Sequence, residues 1–105
     1  MELSLKDLKE LVCCTDNKHP YDVGKNYIVR TVTMIYTGKL VEVGSQELVL
    51  VDAAWIPETE RYSQFVESGA VKECEPYPSG RRVLIGRGSV CDAVVLEKEL
   101  PRSQK

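Results

Sequence analysis

Hydrophobic and polar positions change their period several times along the chain. Leu5, Leu8, Leu11 and Val12 recur at helical spacing, with Lys6, Lys9 and Glu10 on the other face. Ser4 can cap this segment, Asp7 stands three residues on, and Leu3 and Leu8 are spaced as a hydrophobic staple. The pattern predicts a helix over residues 4–13. Thr15 to Pro20 are turn formers, and Pro20 disfavours helix at His19. From Tyr27 to Tyr36 nearly every residue is aromatic, β-branched or otherwise strand-forming, which predicts one long strand. One face would carry Ile28, Val32 and Met34, and the other Val29, Thr31, Thr33 and Ile35.

Thr37-Gly38 predicts a bend or bulge, and Leu40 to Val43 continue as strand. Gly44-Ser45-Gln46 reads as a hairpin turn, and Leu48 to Val51 return toward Ile56. Pro57 is expected to stop that strand. Thr59 is a candidate cap for a second helix with Tyr62, Phe65 and Val66 on one side and Gly69 as its stop. Val71 to Cys74 suits a short strand, and Pro76, Pro78 and Gly80 a stiff turn region. Arg82 to Ile85 reads as strand, Gly86-Arg87-Gly88 as a tight corner, and Ser89 to Leu96 as the last strand. The tail from Glu97 is charged and is expected to fray. The expected fold is mainly β: five strands, a helix in front, and a helical insertion between strands 3 and 4. Closing into a small barrel, or sharing edges with neighbouring subunits, would leave few open edges.

A length of 105 residues allows one domain, taken as residues 1–100 with a flexible tail at 101–105. The apolar and charged fractions, 43% and 29%, are those of a soluble globular protein. No apolar run reaches the ~18–20 residues of a membrane span, and the start lacks a basic, then apolar, leader. A cytoplasmic location with no membrane partner is the expectation. The formal net charge of −2 argues against wholesale capture of nucleic acid but leaves room for one local basic site.

Catalytic and metal chemistry find little support. Cys13, Cys14, Cys74 and Cys91 are expected to be reduced thiols, with Cys91 a buried small hydrophobe among Val90, Ala93 and Val94. Adjacent Cys13 and Cys14 would point about 100° apart on a helix, so with His19 they do not match a zinc spacing. His19 lies in a polar loop with no group placed to orient it as a base. Glu58 and Glu60 fit a helix start, where negative charge is favourable. The chain is therefore read as a non-enzyme with no cofactor.

Gly38-Lys39-Leu40, then Gly44, then Leu48-Val49-Leu50-Val51-Asp52-Ala53 resembles the first motif of Sm-like proteins, and Ile85-Gly86-Arg87-Gly88-Ser89-Val90 is similar to their second. The resemblance covers residues 4–56 and 82–96. It implies a five-stranded SH3/Sm-like small barrel and a homo-oligomeric ring of six or seven subunits joined by the fourth and fifth strands. It also implies RNA binding near two loops. The departures fall on the binding loop: Gly44 stands where the family has an acidic residue, and the hairpin is one residue shorter. Glu47 or Leu48 takes the place of the family's asparagine. Only Arg87 and Gly88 match a binding position. Arg30-Thr31-Val32-Thr33, with Asp52-Ala53-Ala54-Trp55-Ile56, also resembles small proteins of bacteria and their phages, a likeness that implies no activity.

The candidate ligand residues follow from chemistry. Residues 80–88 hold three arginines, Arg81, Arg82 and Arg87, without the spacing of a nucleotide-binding glycine loop. Guanidinium groups bind phosphate in a fork and stack on bases, yet they also serve as solvated turn charges or brace a subunit contact. Trp55 and Tyr62 could stack a base or pin the insertion to the barrel. The expected function is a ring-forming module binding RNA or a nucleotide-type small molecule through Arg81, Arg82, Arg87, Gly88, Trp55 and Tyr62. The alternative is a structural or adaptor protein of phage or bacterial origin that binds other proteins.

Overall fold

The computed structural model describes residues 19–105. The expected helix over 4–13, with Cys13 and Cys14, lies outside them. The described chain is mainly β, with six antiparallel strands in one open sheet. In chain order the strands and the one described α-helix are β1 (Asn26–Thr31), β2 (Ile35–Val43), β3 (Glu47–Glu58), α1 (Tyr62–Ser68), β4 (Glu73–Pro76), β5 (Val83–Gly86) and β6 (Val90–Val95). The sheet runs β4-β3-β2-β1-β6, and β5 shares the free side of β3 with β4. No described pairing closes the sheet.

The long strand expected from Tyr27 to Tyr36 is two strands. Thr31 N–H donates to the Met34 carbonyl at 2.7 Å, and the Thr31 hydroxyl bonds both the Met34 carbonyl and its N–H. A side chain supplies the turn that Gly or Pro usually signals. Val32 and Met34 therefore sit exposed at a hairpin tip rather than on a strand face.

The bulge expected at Gly38 is present. Thr37 pairs with Ala54 and Lys39 with Val51, so Gly38 alone faces Asp52 and Ala53. Asp52 takes the left-handed conformation at φ 51°. A Cβ on Gly38 would lie 2.8 Å from Leu50 Cβ, so the close approach demands glycine. The extra residue changes which face β3 buries. Leu48, Leu50 and Ala53 join a first cluster with Tyr27, Val29, Leu40 and Ile85. Ala54 and Ile56 turn to a second, with Ile28, Phe65, Cys74 and Leu96. The sheet is thus buried on both sides.

Pro57 does not stop β3, which runs to Glu58. Ile56 and Pro57 oppose Cys74 alone, and in a bulge a missing N–H costs no ladder bond. Arg61, not Thr59, occupies the helix cap position, and it makes no side-chain capping bond. Gly69 does end α1, at φ 78° with its N–H on the Phe65 carbonyl. Phe65 is buried while Tyr62 and Val66 pack at its margin.

Cys91 is exposed, not buried. Arg30 pairs with Asp92 and Thr31 with Val90, which leaves Cys91 as the unpaired residue of a bulge in an edge strand. The segment from Glu97, expected to fray, lies against the body of the protein. Leu96 is buried and Leu100 packs beside it. Arg102 donates from Nη1 to the Ala53 carbonyl and from Nη2 to the Tyr77 carbonyl, both at 2.7 Å.

Candidate functional site

The corner after β5 is a single 3₁₀ turn, Arg87–Ser89. Arg87 N–H donates to the Gln46 carbonyl at 2.8 Å, and its Nη1 donates to the Gly44 carbonyl at 2.7 Å. Its guanidinium also lies 5.9 Å from the centre of the Tyr21 ring. Arg87 therefore ties this corner to the β2–β3 hairpin. Gly88 beside it is open, with nothing near the position a Cβ would take.

Arg82 stands at the other end of β5 and pairs with Glu42 at 3.3 Å, both side chains well exposed. An extended strand advances about 3.3 Å per residue, so the backbones of Arg82 and Arg87 are roughly 16 Å apart. Their guanidinium groups are engaged by different partners, Glu42 and the Gly44 carbonyl. Arg81 is exposed, and among the described residues its side chain makes no hydrogen bond or ion pair. The three arginines do not converge.

The aromatic pair separates as well. Trp55, 40% exposed, lies on β3 between Tyr36 of β2 and Glu75 of β4. Tyr62 lies at the start of α1, edge-on to Phe65, with the Arg30 guanidinium 4.0 Å above its ring centre. Its hydroxyl is buried without a hydrogen-bond partner among the described residues. Burial raises the Tyr62 pKa, the nearby Arg30 opposes that shift, and Asp92 adds to it. One face of the Tyr62 ring is thus taken by Arg30 rather than offered to a base.

Arg30 is the ionic centre that the sequence reading missed. Its Nε donates to Asp92 Oδ1 at 2.8 Å, and its Nη2 donates to Oδ2. This two-pronged bond holds the Asp92 carboxyl below its usual range, against a smaller opposing effect of burial. It also raises the Arg30 pKa. The cluster joins β1, β6 and α1. Only the spacing of sheet partners, invisible along the chain, brings it together.

Beside β6 runs a cleft of about 700 Å³, lined by Tyr21, Asp22, Tyr27, Arg87 and one side of β6 from Val90 to Val95, with Glu97 at its end. The outer edge of β6 has no strand partner among the described residues, and neither has that of β5. Carboxylates of Asp22, Asp92 and Glu97 surround the first edge. Arg81 and Arg82 precede the second.

Comparison with known protein families, curated proteins and solved structures gave no match. The described residues contain no cluster of three or more side chains suited to a metal ion. None of their helices is long and apolar enough to cross a membrane.

Proposed function

We propose that this chain is a non-enzymatic binding module whose copies join head to tail, β6 of one against β5 of the next, into a ring that binds RNA or a nucleotide-type anion. The observation that carries this reading is the pair of sheet edges, those of β5 and β6, that have no strand partner among the described residues. An unpaired strand edge recruits another strand unless it is blocked. Asp22 and Glu97 beside β6 suit Arg81, which precedes β5 and has no ion-pair partner among the described residues. A contact between two different surfaces propagates head to tail and closes if the rotation between copies allows.

The chain order also supports the small-barrel reading. A three-strand meander, a short strand on β3, a 3₁₀ corner and a last strand returning to β1 are the parts that such a barrel needs. The ligand side rests on Arg81, whose guanidinium has no partner among the described residues, with Arg82 and Arg87 held near the same strand by Glu42 and Gly44. In a ring each weak anion site is repeated, so modest contacts sum.

Native mass spectrometry tests the assembly. The expected result is a closed oligomer of five to seven subunits, dispersed by reversing charge in Arg81→Glu with Arg82→Glu. A monomer at micromolar concentration would end the ring proposal. Arg81→Ala is expected to weaken RNA or nucleotide binding and to loosen the assembly slightly, whereas Arg87→Ala also loosens the hairpin. A second reading, an adaptor for other proteins, draws on exposed Val32, Met34 and Leu84. Met34 and Leu84 line one cleft of about 330 Å³ with Tyr36 and Tyr77. A monomer that binds neither RNA nor nucleotide would favour it.

A further inference from the structure

The outer edge of β4 is treated differently from those of β5 and β6. Residues 101–105 lie beside it, and Lys105 exchanges both main-chain bonds with Cys74 as a strand partner would. Cys74 N–H donates to the Lys105 carbonyl at 3.3 Å, and Lys105 N–H donates to the Cys74 carbonyl at 2.9 Å. Gln104 Nε2 donates to the Glu75 carboxylate at 3.1 Å. Arg102 places its fork on two main-chain carbonyls, those of Ala53 and Tyr77.

That carbonyl pair belongs to the sheet and not to the strap. Tyr77 N–H donates to the Ala53 carbonyl at 2.9 Å, which holds the two residues together next to the β3 bulge. Paired acceptors match a guanidinium fork better than an ammonium. Glu73 and Glu75 on β4 add negative charge where the strap brings Arg102 and Lys105. Main-chain bonds to a strand edge, with one side chain seated in a fixed site, are how extended peptides add to sheets. None of these contacts requires the segment to be covalently joined to β6.

We propose that the β4 edge, with the Ala53–Tyr77 carbonyl pair, is a docking site for an extended basic segment of a partner polypeptide. The segment carries an arginine, a glutamine two residues later and then a lysine. Residues 101–105 fill the site in the conformation described and define its chemistry. Tethering gives them an effective concentration on the order of millimolar, so a partner enters when the strap is loosened.

Cys74 reports the occupancy. It is 1% exposed, and its thiol donates toward the Pro101 carbonyl at 3.8 Å. In the full chain with Cys13, Cys14 and Cys91 replaced by Ser, the rate of Cys74 modification by a thiol reagent is measured without denaturant. Arg102→Ala is expected to speed it roughly tenfold or more, since a charge-assisted bond pair is lost. Arg102→Lys should recover only part of the protection. Gln104→Ala, an exposed change that leaves the core intact, should give a smaller acceleration. A synthetic peptide of the sequence from Glu99 to Lys105 should restore protection to the Arg102→Ala chain, and the same peptide with alanine for its arginine should not. Unchanged labelling in both variants would overturn the proposal. So would labelling that only follows global unfolding in urea, or a peptide that protects nothing.

Discussion

The two faces of the sheet are buried by different means. The first cluster is made almost wholly of strand residues from β1, β2, β3 and β5. The second takes only Ile28, Ala54 and Ile56 from the three central strands, and its remainder comes from α1, β4 and the segment after β6. A face closed by its own meander needs only alternation and tight hairpins. A face closed by an insertion needs one large side chain to hold a short helix, because seven residues are too few to be stable alone. Phe65, fully buried, is that side chain.

Phe65→Ala should break the second face and give the largest effect. A loss of about 3–5 kcal/mol is expected from urea unfolding. Hydrogen exchange should show α1 and β4 losing protection while the β1–β2 hairpin keeps it. Equal loss everywhere would mean that the faces are not separable.

Gly38→Ala tests the first face. Its added methyl meets Leu50 Cβ at 2.8 Å, across two backbones that cannot both move. A cost of about 1–3 kcal/mol in the urea midpoint is expected.

Asp52→Val sharpens the comparison at the residue where β3 changes face. A β-branched side chain is poorly suited to φ 51°, and a loss of about 1–2 kcal/mol is expected. Asp52→Gly should be close to neutral by the same measurement.

The smallest effect belongs to Asp92→Asn, at the ion pair that joins β1 to β6 beside Tyr62 of α1. The folded Asp92 carboxyl sits below its ordinary range. Its stabilising contribution is therefore complete above the ordinary carboxylate pKa and disappears as pH falls through the depressed value. Wild type and Asp92→Asn should differ at neutral pH and converge in acid, as followed by urea midpoints across pH. A constant difference would show that the hydrogen-bond geometry, and not the charge, matters.

The first face was legible in the chain, and of the second only the helix around Phe65 and the short strand at Cys74 were. Leu40 stands between exposed Lys39 and Val41, Leu48-Val49-Leu50 is a continuous apolar run, and Gly38 and Gly44 mark the bulge and hairpin. The hairpin tip at 32–34 escaped because Val32, Thr33 and Met34 are strand formers, and the turn depends on the Thr31 hydroxyl. The strap escaped because its charges resemble a solvated tail, while Leu100 and the Arg102 fork act only once Ala53 and Tyr77 are in place. For the candidate site, residue types were legible and their distribution was not. Arg82 and Arg87 are near in sequence, yet an extended strand holds them apart, and Glu42 reaches Arg82 across β3.

The pairing of β1 with β6 has a consequence for how the chain reaches this state. The hairpins β1–β2 and β2–β3 join neighbours and can form on the microsecond scale. Arg30 and Asp92 are 62 residues apart, and β1 cannot be covered on its second side until that long loop closes. Closing it costs chain entropy before the new contacts repay it, so this step governs the folding rate. Until it is complete, a partly folded chain presents β1 with one edge bare and Ile28 unburied. That interval, rather than any weakness of the finished sheet, is when the protein is most exposed to pairing with the wrong strand.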